Sequence, residues 1–409
     1  MTLLCKKSMK KFLTLCTALL ASCLLVNAQD NYNEISLPEL MKKKQQDKDI
    51  LILDVRSRGE YHDTISRGLH SNIGKIKGAI NLPLQEVREN PDLIHQLDAY
   101  RDKDIYVICS HSYRSRNISN ILLKNGFTKV NNVQGGMTEW YRRYDELLPY
   151  RDQLETGIAY KNTSAAEVAG ELTSGKKILL IGIAGNPRYH YDTLTINFYN
   201  HFPAFKNAVY YALADSLEVL KKVQQNKKVP VVLFNTVNSG AAEIANWLTS
   251  KGIPDVSYMV GNLYYFHEYI RNNGLEAKTA KFFSPKNNID FISSPNLCSK
   301  VDGKNVQLID LRHDSIFNRT TKGLKYEFAH ARGSVNFPFE NGPADFEKTF
   351  TDRKKDYVLY SLNGIDGLEL AAELAKKGYR ISWLSGGLQR LEWYTINVEN
   401  FACRDILRP

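Results

Sequence analysis

The sequence predicts an α/β fold of three tandem domains, each a mainly parallel sheet flanked by helices, and three observations carry that prediction. The first is a repeated strand: Ile50-Leu51-Ile52-Leu53-Asp54-Val55-Arg56 returns as Ile178-Leu179-Leu180-Ile181-Gly182-Ile183-Ala184 and as Gln307-Leu308-Ile309-Asp310-Leu311-Arg312. The second is another apolar strand that runs into a short polar loop, ending at Cys109, at Asn235 and at Ser361. The third is spacing. Between positions 54 and 109, 182 and 235, and 310 and 361 the chain runs 55, 53 and 51 residues; from each loop to the next glycine turn, at 135, 261 and 386, it runs 26, 26 and 25.

After each loop comes a helix-period stretch: Ile118 to Lys124, Ala241 to Ser250 and Leu368 to Lys377. Each copy ends in a glycine turn with an aromatic cluster, Gly135-Gly136 with Trp140, Gly261-Asn262 with Tyr269, and Gly386-Gly387 with Trp393. Buried strands alternating with amphipathic helices imply parallel sheets, whose ligand sites lie beyond the carboxyl ends of the strands. The expected domains are 29–150, 151–285 and 286–409, after a signal peptide at 1–28.

A chain of 409 residues suits two or three domains, and its apolar and charged fractions are those of a globular protein. The charge of +10 falls to +6 once Lys6, Lys7, Lys10 and Lys11 are set aside with the leader, a weak case for a nucleic-acid partner. The leader itself has a basic start, an apolar run from Phe12 to Val26 and small residues at Ala28, which is secretory signal logic and implies export, to the periplasm. Met9 would make a usual start for such a peptide. Leu20-Ala21-Ser22-Cys23 also fits a lipoprotein box, so the alternative is a membrane anchor through a lipid on Cys23; the apolar Leu24-Leu25-Val26 beyond it favours soluble export. Of six cysteines, Cys5, Cys16 and Cys23 fall in the leader. Cys109, Cys298 and Cys403 remain, and Cys298 and Cys403 are expected to be buried apolar residues or one disulfide. The aromatic-rich insertion from Tyr189 to Lys227 reads as local packing.

The chemistry concentrates in Cys109-Ser110-His111-Ser112-Tyr113-Arg114-Ser115. A loop wrapped between a buried strand and a helix beginning about Ser115 aims backbone N–H groups into one cavity. The helix terminus adds positive potential that favours a thiolate at Cys109. Arg114 supplies a charge for an anionic sulfur donor.

This loop resembles the active loop of the rhodanese family: a cysteine, four residues, then Arg-Ser. Other family landmarks are Asp54-Val55-Arg56, Glu60-Tyr61, Ile76-Lys77-Gly78-Ala79-Ile80-Asn81-Leu82-Pro83 and Gly135-Gly136 with Trp140, over most of residues 45–145. The resemblance implies a sulfurtransferase in which Cys109 takes sulfane sulfur from a donor such as thiosulfate and passes it from a persulfide to a thiophilic acceptor, a protein thiol included. It makes Ser110, His111, Ser112, Tyr113 and Ser115, with Arg114, the substrate-binding loop, the amides of Ser110 to Arg114 stabilising the persulfide, and it implies no cofactor and no metal. A phosphatase of the same superfamily would need five residues between cysteine and arginine, where this loop has four.

Two departures stand out. Ser112 holds a place that is often glycine, so a positive backbone angle there carries strain. Lys75 stands where a histidine is frequent. In the other copies Asn235 and Ser361 replace the nucleophile and Asp366 replaces the arginine, so both are expected to be catalytically silent, even though the third keeps Asp310-Leu311-Arg312 and His330-Ala331-Arg332-Gly333-Ser334-Val335-Asn336-Phe337-Pro338. The third copy reads equally as a scaffold or as a module for a partner. The rival to an enzyme is an interaction protein in which Cys109 is a relic or a redox-sensing thiol; the intact Arg114-Ser115 pair favours the enzyme.

Overall fold

The computed structural model describes residues 32–407 apart from 48, 67, 185–201, 236–239, 285–287, 302, 304, 319–329 and 399–400. The proposed leader, with Cys5, Cys16 and Cys23, and the first part of the 189–227 insertion lie outside those residues.

Three five-stranded sheets share one topology. In the first the spatial order is Asn33–Ser36, Val130–Gln134, Ile105–Ile108, Leu51–Asp54, Ile80–Asn81, every neighbouring pair parallel. In the second it is Lys161–Thr163, Val256–Met259, Val231–Asn235, Leu179–Ala184, Val209–Ala212, and in the third Ile289–Ile292, Arg380–Leu384, Asp356–Tyr360, Val306–Asp310, Val335–Asn336, again all parallel. The repeat inferred from spacing is therefore a repeat of topology. In each sheet the loop-bearing strand is central, which sets its carboxyl end in the middle of the domain's ligand-facing edge.

The period-2 alternation of a strand divides each apolar run between two faces. In the first sheet Leu51, Leu53 and Val107 pack with Ile118 and Leu122 of the helix Tyr113–Lys124. Ile52, Tyr106 and Ile108 pack on the other face with Leu37, Leu40 and the fully buried Trp140. Both faces being covered explains why these strands read as continuous apolar runs.

The strand Leu154–Glu155 pairs antiparallel with Lys75–Ile76 in a separate two-stranded sheet, and Leu154 packs on the first domain's core, so the polar stretch after residue 150 still belongs to that domain's packing. Lys75 lies over the Tyr61 ring at 4.7 Å and 3.9 Å from Glu155. The domains are not beads on a string. Gly68 and Leu69 of the first donate backbone N–H groups to Glu243 of the second, at 3.2 and 3.1 Å. A single apolar core runs from Phe234 and Phe266 of the second domain to Phe346 and Trp383 of the third, with Tyr264 donating to the Gly364 carbonyl across the boundary at 2.8 Å. The described part of the insertion joins that core: Phe202 and Phe205 meet Tyr264 and Phe234 edge-on at 5.0 and 5.3 Å, in keeping with local packing.

Cys298 and Cys403 form a disulfide across 105 residues, tying the helix Ser294–Val301 to the chain beyond the last helix. Of the two expectations for this pair the bond is the one realised. Cross-linking a loop of that length restricts the unfolded chain, so Cys298→Ala with Cys403→Ala is expected to lose about 2–5 kcal/mol of stability in denaturant titration. Equal midpoints for the two proteins would mean that the bond contributes nothing to the fold.

Candidate functional site

The first loop leaves the strand Ile105–Ile108 at Cys109 and enters the helix at Tyr113. The helix thus starts two residues earlier than the sequence suggested, because the chain turns sharply at Ser112, whose φ is +98°. Tyr113 and Arg114 belong to its first turn rather than to the loop.

Ser112 is held in that conformation by its own side chain: the Gly135 N–H donates to Ser112 Oγ at 2.6 Å. In the third domain the corresponding residue is Gly364, with φ +74°, and a side chain there would meet the Gly386 nitrogen at 2.6 Å. So the glycine of the third loop and the serine of the first solve one backbone requirement in two ways. Behind the first loop Gly136 must lack a side chain, since a Cβ would collide with the Cys109 carbonyl. Met137 and Thr138 then donate their N–H groups to the carbonyls of Cys109 and Ser110 at 2.8 and 3.2 Å.

Cys109 is 1% exposed, and among the described residues it is the free cysteine. Its Sγ accepts the Ser112 N–H at 3.1 Å and lies 3.5 Å from Ser115 Oγ. Ser115 in turn donates to the Ser112 carbonyl at 2.8 Å. This sulfur sits at the floor of a cleft of about 690 Å³, walled by Ser110, His111, Tyr113 and Arg114, by Arg58 and Arg88 from the opposite side, and by Trp393. Tyr113 is 54% exposed at the rim. The loop therefore brings the sequence-predicted residues together around one sulfur atom.

Arg114 lines the cleft already engaged with protein partners. Its guanidinium is bidentate on Glu60, at 2.6 and 2.7 Å, and also donates to Ser110 Oγ at 2.7 Å, while Ser110 Oγ donates to Glu60 at 3.0 Å. Its charge is compensated, so a donor anion does not find a free cation there. Glu60 is oriented by its own helix: it closes a capping box with Ser57, accepting the Ser57 N–H at 3.0 Å. Burial alone would push the Glu60 carboxyl up, but the hydrogen bonds and charge of Arg114, with Ser57, outweigh it and hold it at about 2. The pattern Ser57-Arg58-Gly59-Glu60 was a readable capping signal. What it faced was not readable.

Arg58 is likewise paired, with Glu86 at 2.7 Å. Arg88 makes a hydrogen bond with Asn117 at 3.3 Å and has no carboxylate partner among the described residues, which leaves it as the cleft's uncompensated cation. Sequence reasoning passed over it, because an exposed arginine on the short helix Leu84–Glu89 carries no motif. His111 meets Trp393 edge-on at 5.4 Å. Burial, and then the nearby Arg142, Arg390 and Arg114, push its imidazole down to about 3, so it lines the cleft as a neutral ring.

The other two loops show why they differ. Asn235 Oδ1 accepts the N–H groups of Gly240 and Ala241 at 3.1 and 2.8 Å, and its amide donates to Tyr258 at 3.2 Å. The position that Cys109 holds in the first domain has become a helix cap. Ser361 keeps the geometry of Cys109, accepting the Gly364 N–H at 3.1 Å, but burial raises the neighbouring Asp366 carboxyl instead of supplying a cation. Among the described residues no cluster of His, Cys, Asp and Glu is arranged to hold a metal ion.

Two of the three repeats are similar to known proteins. Residues 37–143 and 296–392 match the family model described as Rhodanese-like domain. YrkF of Bacillus subtilis (strain 168), named as a sulfur carrier protein, is 34% identical over 107 residues, 26% of this chain and 50% of that protein. A tRNA uridine(34) hydroxylase of Escherichia coli O6:K15:H31 is 31% identical over 107 residues, 26% of this chain and 28% of that one. The chain thus spans half or less of these relatives. Solved structures similar to it include EanB in complex with hercynine, 15% identical with a TM-score of 0.26, covering 88% of this chain and 95% of that one. The anaerobic ergothioneine biosynthesis enzyme of Chlorobium limicola is 16% identical with a TM-score of 0.27, covering 87% and 96%.

Two measurements check the loop. Ser112→Ala removes the bond to Gly135 and keeps the strained angle, whereas Ser112→Gly removes both; the glycine variant is expected to be the more stable of the two by about 1 kcal/mol in denaturant titration. The second concerns Glu60. Its folded carboxyl is depressed, so the stability it contributes is full above its unfolded value of about 4.3 and is lost as pH falls through about 2. The stability gap between the native chain and Glu60→Gln should accordingly close over that acid window and stay constant above it.

Proposed function

Since the chain belongs to the rhodanese-like family through residues 37–143 and 296–392, we propose that its first domain is a sulfurtransferase working through a persulfide on Cys109. The observation that carries this reading is the free Cys109 sulfur at the floor of a cleft, accepting a loop N–H. In the first step the thiolate attacks the outer sulfur of a donor such as thiosulfate; the donor's S–S bond breaks and sulfite leaves with the electron pair. In the second, a thiophilic acceptor attacks the terminal sulfur and Cys109 leaves again as thiolate. Backbone N–H groups at the start of the helix stabilise the persulfide. Arg88 attracts the dianionic donor, and the Glu60–Arg114 pair keeps the loop in shape.

Export is part of the proposal. The Cys298–Cys403 disulfide supports it, since such bonds persist in oxidising compartments, and the leader pattern points the same way. Among the described residues no helix is long and apolar enough to cross a membrane. Fatty-acid label incorporated in dependence on Cys23 would move the protein to a lipid anchor.

Intact-mass measurement after exposure to thiosulfate is expected to show one added sulfur, lost in Cys109→Ser together with transfer to cyanide. An unmodified native protein, or a Cys109→Ser variant that still transfers sulfur, would end this reading and leave an interaction or redox-sensing role. The two arginines should part company. Arg88→Ala should raise the Michaelis constant for thiosulfate about threefold or more with turnover nearly unchanged, the pattern of lost ground-state binding. Arg114→Ala strands the buried Glu60 carboxylate, so it is expected to lose about 2–4 kcal/mol of stability and to depress turnover.

A further inference from the structure

Behind the wall formed by Ser110, His111 and Trp393 lies a second cavity, of about 520 Å³, where the three repeats meet. Each contributes residues at or just beyond the end of its central strand: Ser110 and His111 from the first, Asn235 from the second, Asn363 from the third. Cys109 does not line it. Its cations are Arg142, on the helix Glu139–Arg142 of the first domain, and Arg390, on the helix Gly387–Asn397 of the third.

These two guanidiniums converge. Both donate to the hydroxyl of Tyr265, and both lie over the Trp393 ring at 4.5 Å. Two positive charges, their side chains 21% and 17% exposed, therefore share the Tyr265 hydroxyl, and Arg390 also reaches the Tyr394 hydroxyl at 3.4 Å. The nearest carboxylates compensate them loosely, Glu139 at 3.6 Å from Arg142 and Glu268 at 3.9 Å from Arg390. Like charges brought together out of water are costly unless an anion joins them. Neutral donors stand beside them: the side-chain oxygens of Asn262 and Asn363 accept the N–H groups of Tyr265 and Ile365, at 3.2 and 2.9 Å, so their amide NH₂ groups remain for a ligand. Burial depresses the His111 imidazole first, and Arg142 and Arg390 push it further in the same direction.

We propose that this cavity binds a small planar organic anion, an aromatic carboxylate in chemical class, with its carboxylate on Arg142 and Arg390 and its ring against Trp393. Its volume lies in the range of small-molecule sites, and it sits at a domain junction where such sites concentrate. The paired, pre-stacked guanidiniums match a carboxylate's two oxygens, and the aromatic wall matches a flat body. The site goes beyond the sulfur-transfer reading and does not use the Cys109 sulfur.

The full chain carrying Cys109→Ala would be titrated with benzoate, and with benzamide as the neutral isostere, at constant ionic strength, following tryptophan fluorescence and binding heat. Saturable one-to-one binding of benzoate is expected, with benzamide weaker by roughly tenfold or more and with Arg142→Gln and Arg390→Gln each weakening benzoate by roughly tenfold. Lysine at either position should recover part of that loss, and Trp393→Phe should remove most of the fluorescence response while binding heat persists. Since the arginines also bridge domains, thermal melts accompany each variant; the benzoate and benzamide comparison needs no substitution in the cavity. No saturable benzoate binding, equal binding of benzamide, displacement by equimolar chloride, or affinity unmoved in both glutamine variants would each overturn the proposal.

Discussion

The ion pair between Glu60 and Arg114 is the constraint on which the site depends. It joins the short helix after the second strand to the first turn of the helix after Cys109, and Ser110 is bonded into the same triad. A strand-to-helix loop would otherwise be free to choose among conformations; here its side chains are fixed from outside while Gly135 and Gly136 fix its backbone from behind. The arginine expected to meet a donor anion is braced against a carboxylate held in place by a capping box, which offsets the cost of burying its charge. Electrostatics at the cleft is left to backbone N–H groups and to the more exposed Arg88.

The two loops without a cysteine have not simply decayed. Asn235 has taken over the cap of the helix Ala241–Ser250 that follows it. The third domain preserves the turn at Gly364 and the buried Arg312–Asp310 pair, at 2.6 Å, that repeats Arg56–Asp54 at 2.7 Å. In both the first and third domains an asparagine, Asn81 or Asn336, binds the two carbonyls flanking that pair. These shared parts keep the sheet edge in shape, so that a domain without a nucleophile can still present a wall.

That wall is what the additional domains add to the first. Trp393 closes one side of the Cys109 cleft and faces His111, and the third domain's core around Leu388, Leu391 and Tyr394 holds it there. Residues from the corresponding strand ends of three similar sheets line one space that no single domain could form.

Much of this was legible in the chain itself. The three-fold repeat, the parallel sheets, the loop at Cys109 and the strain at Ser112 all follow from local pattern, because strand period, glycine placement and loop length act over a few residues. Where the pattern stopped was at partners distant in sequence. Glu60 and Arg114 are 54 positions apart, Cys298 and Cys403 105, and Trp393 stands in another domain from the cysteine it shelters. Their meeting is decided by how helices lie on a sheet and how three domains pack, and no short-range rule encodes those distances. The sequence by itself determined the repeated unit and its one cysteine-bearing loop; the tertiary structure decided which charges are spent in holding that loop and which are not.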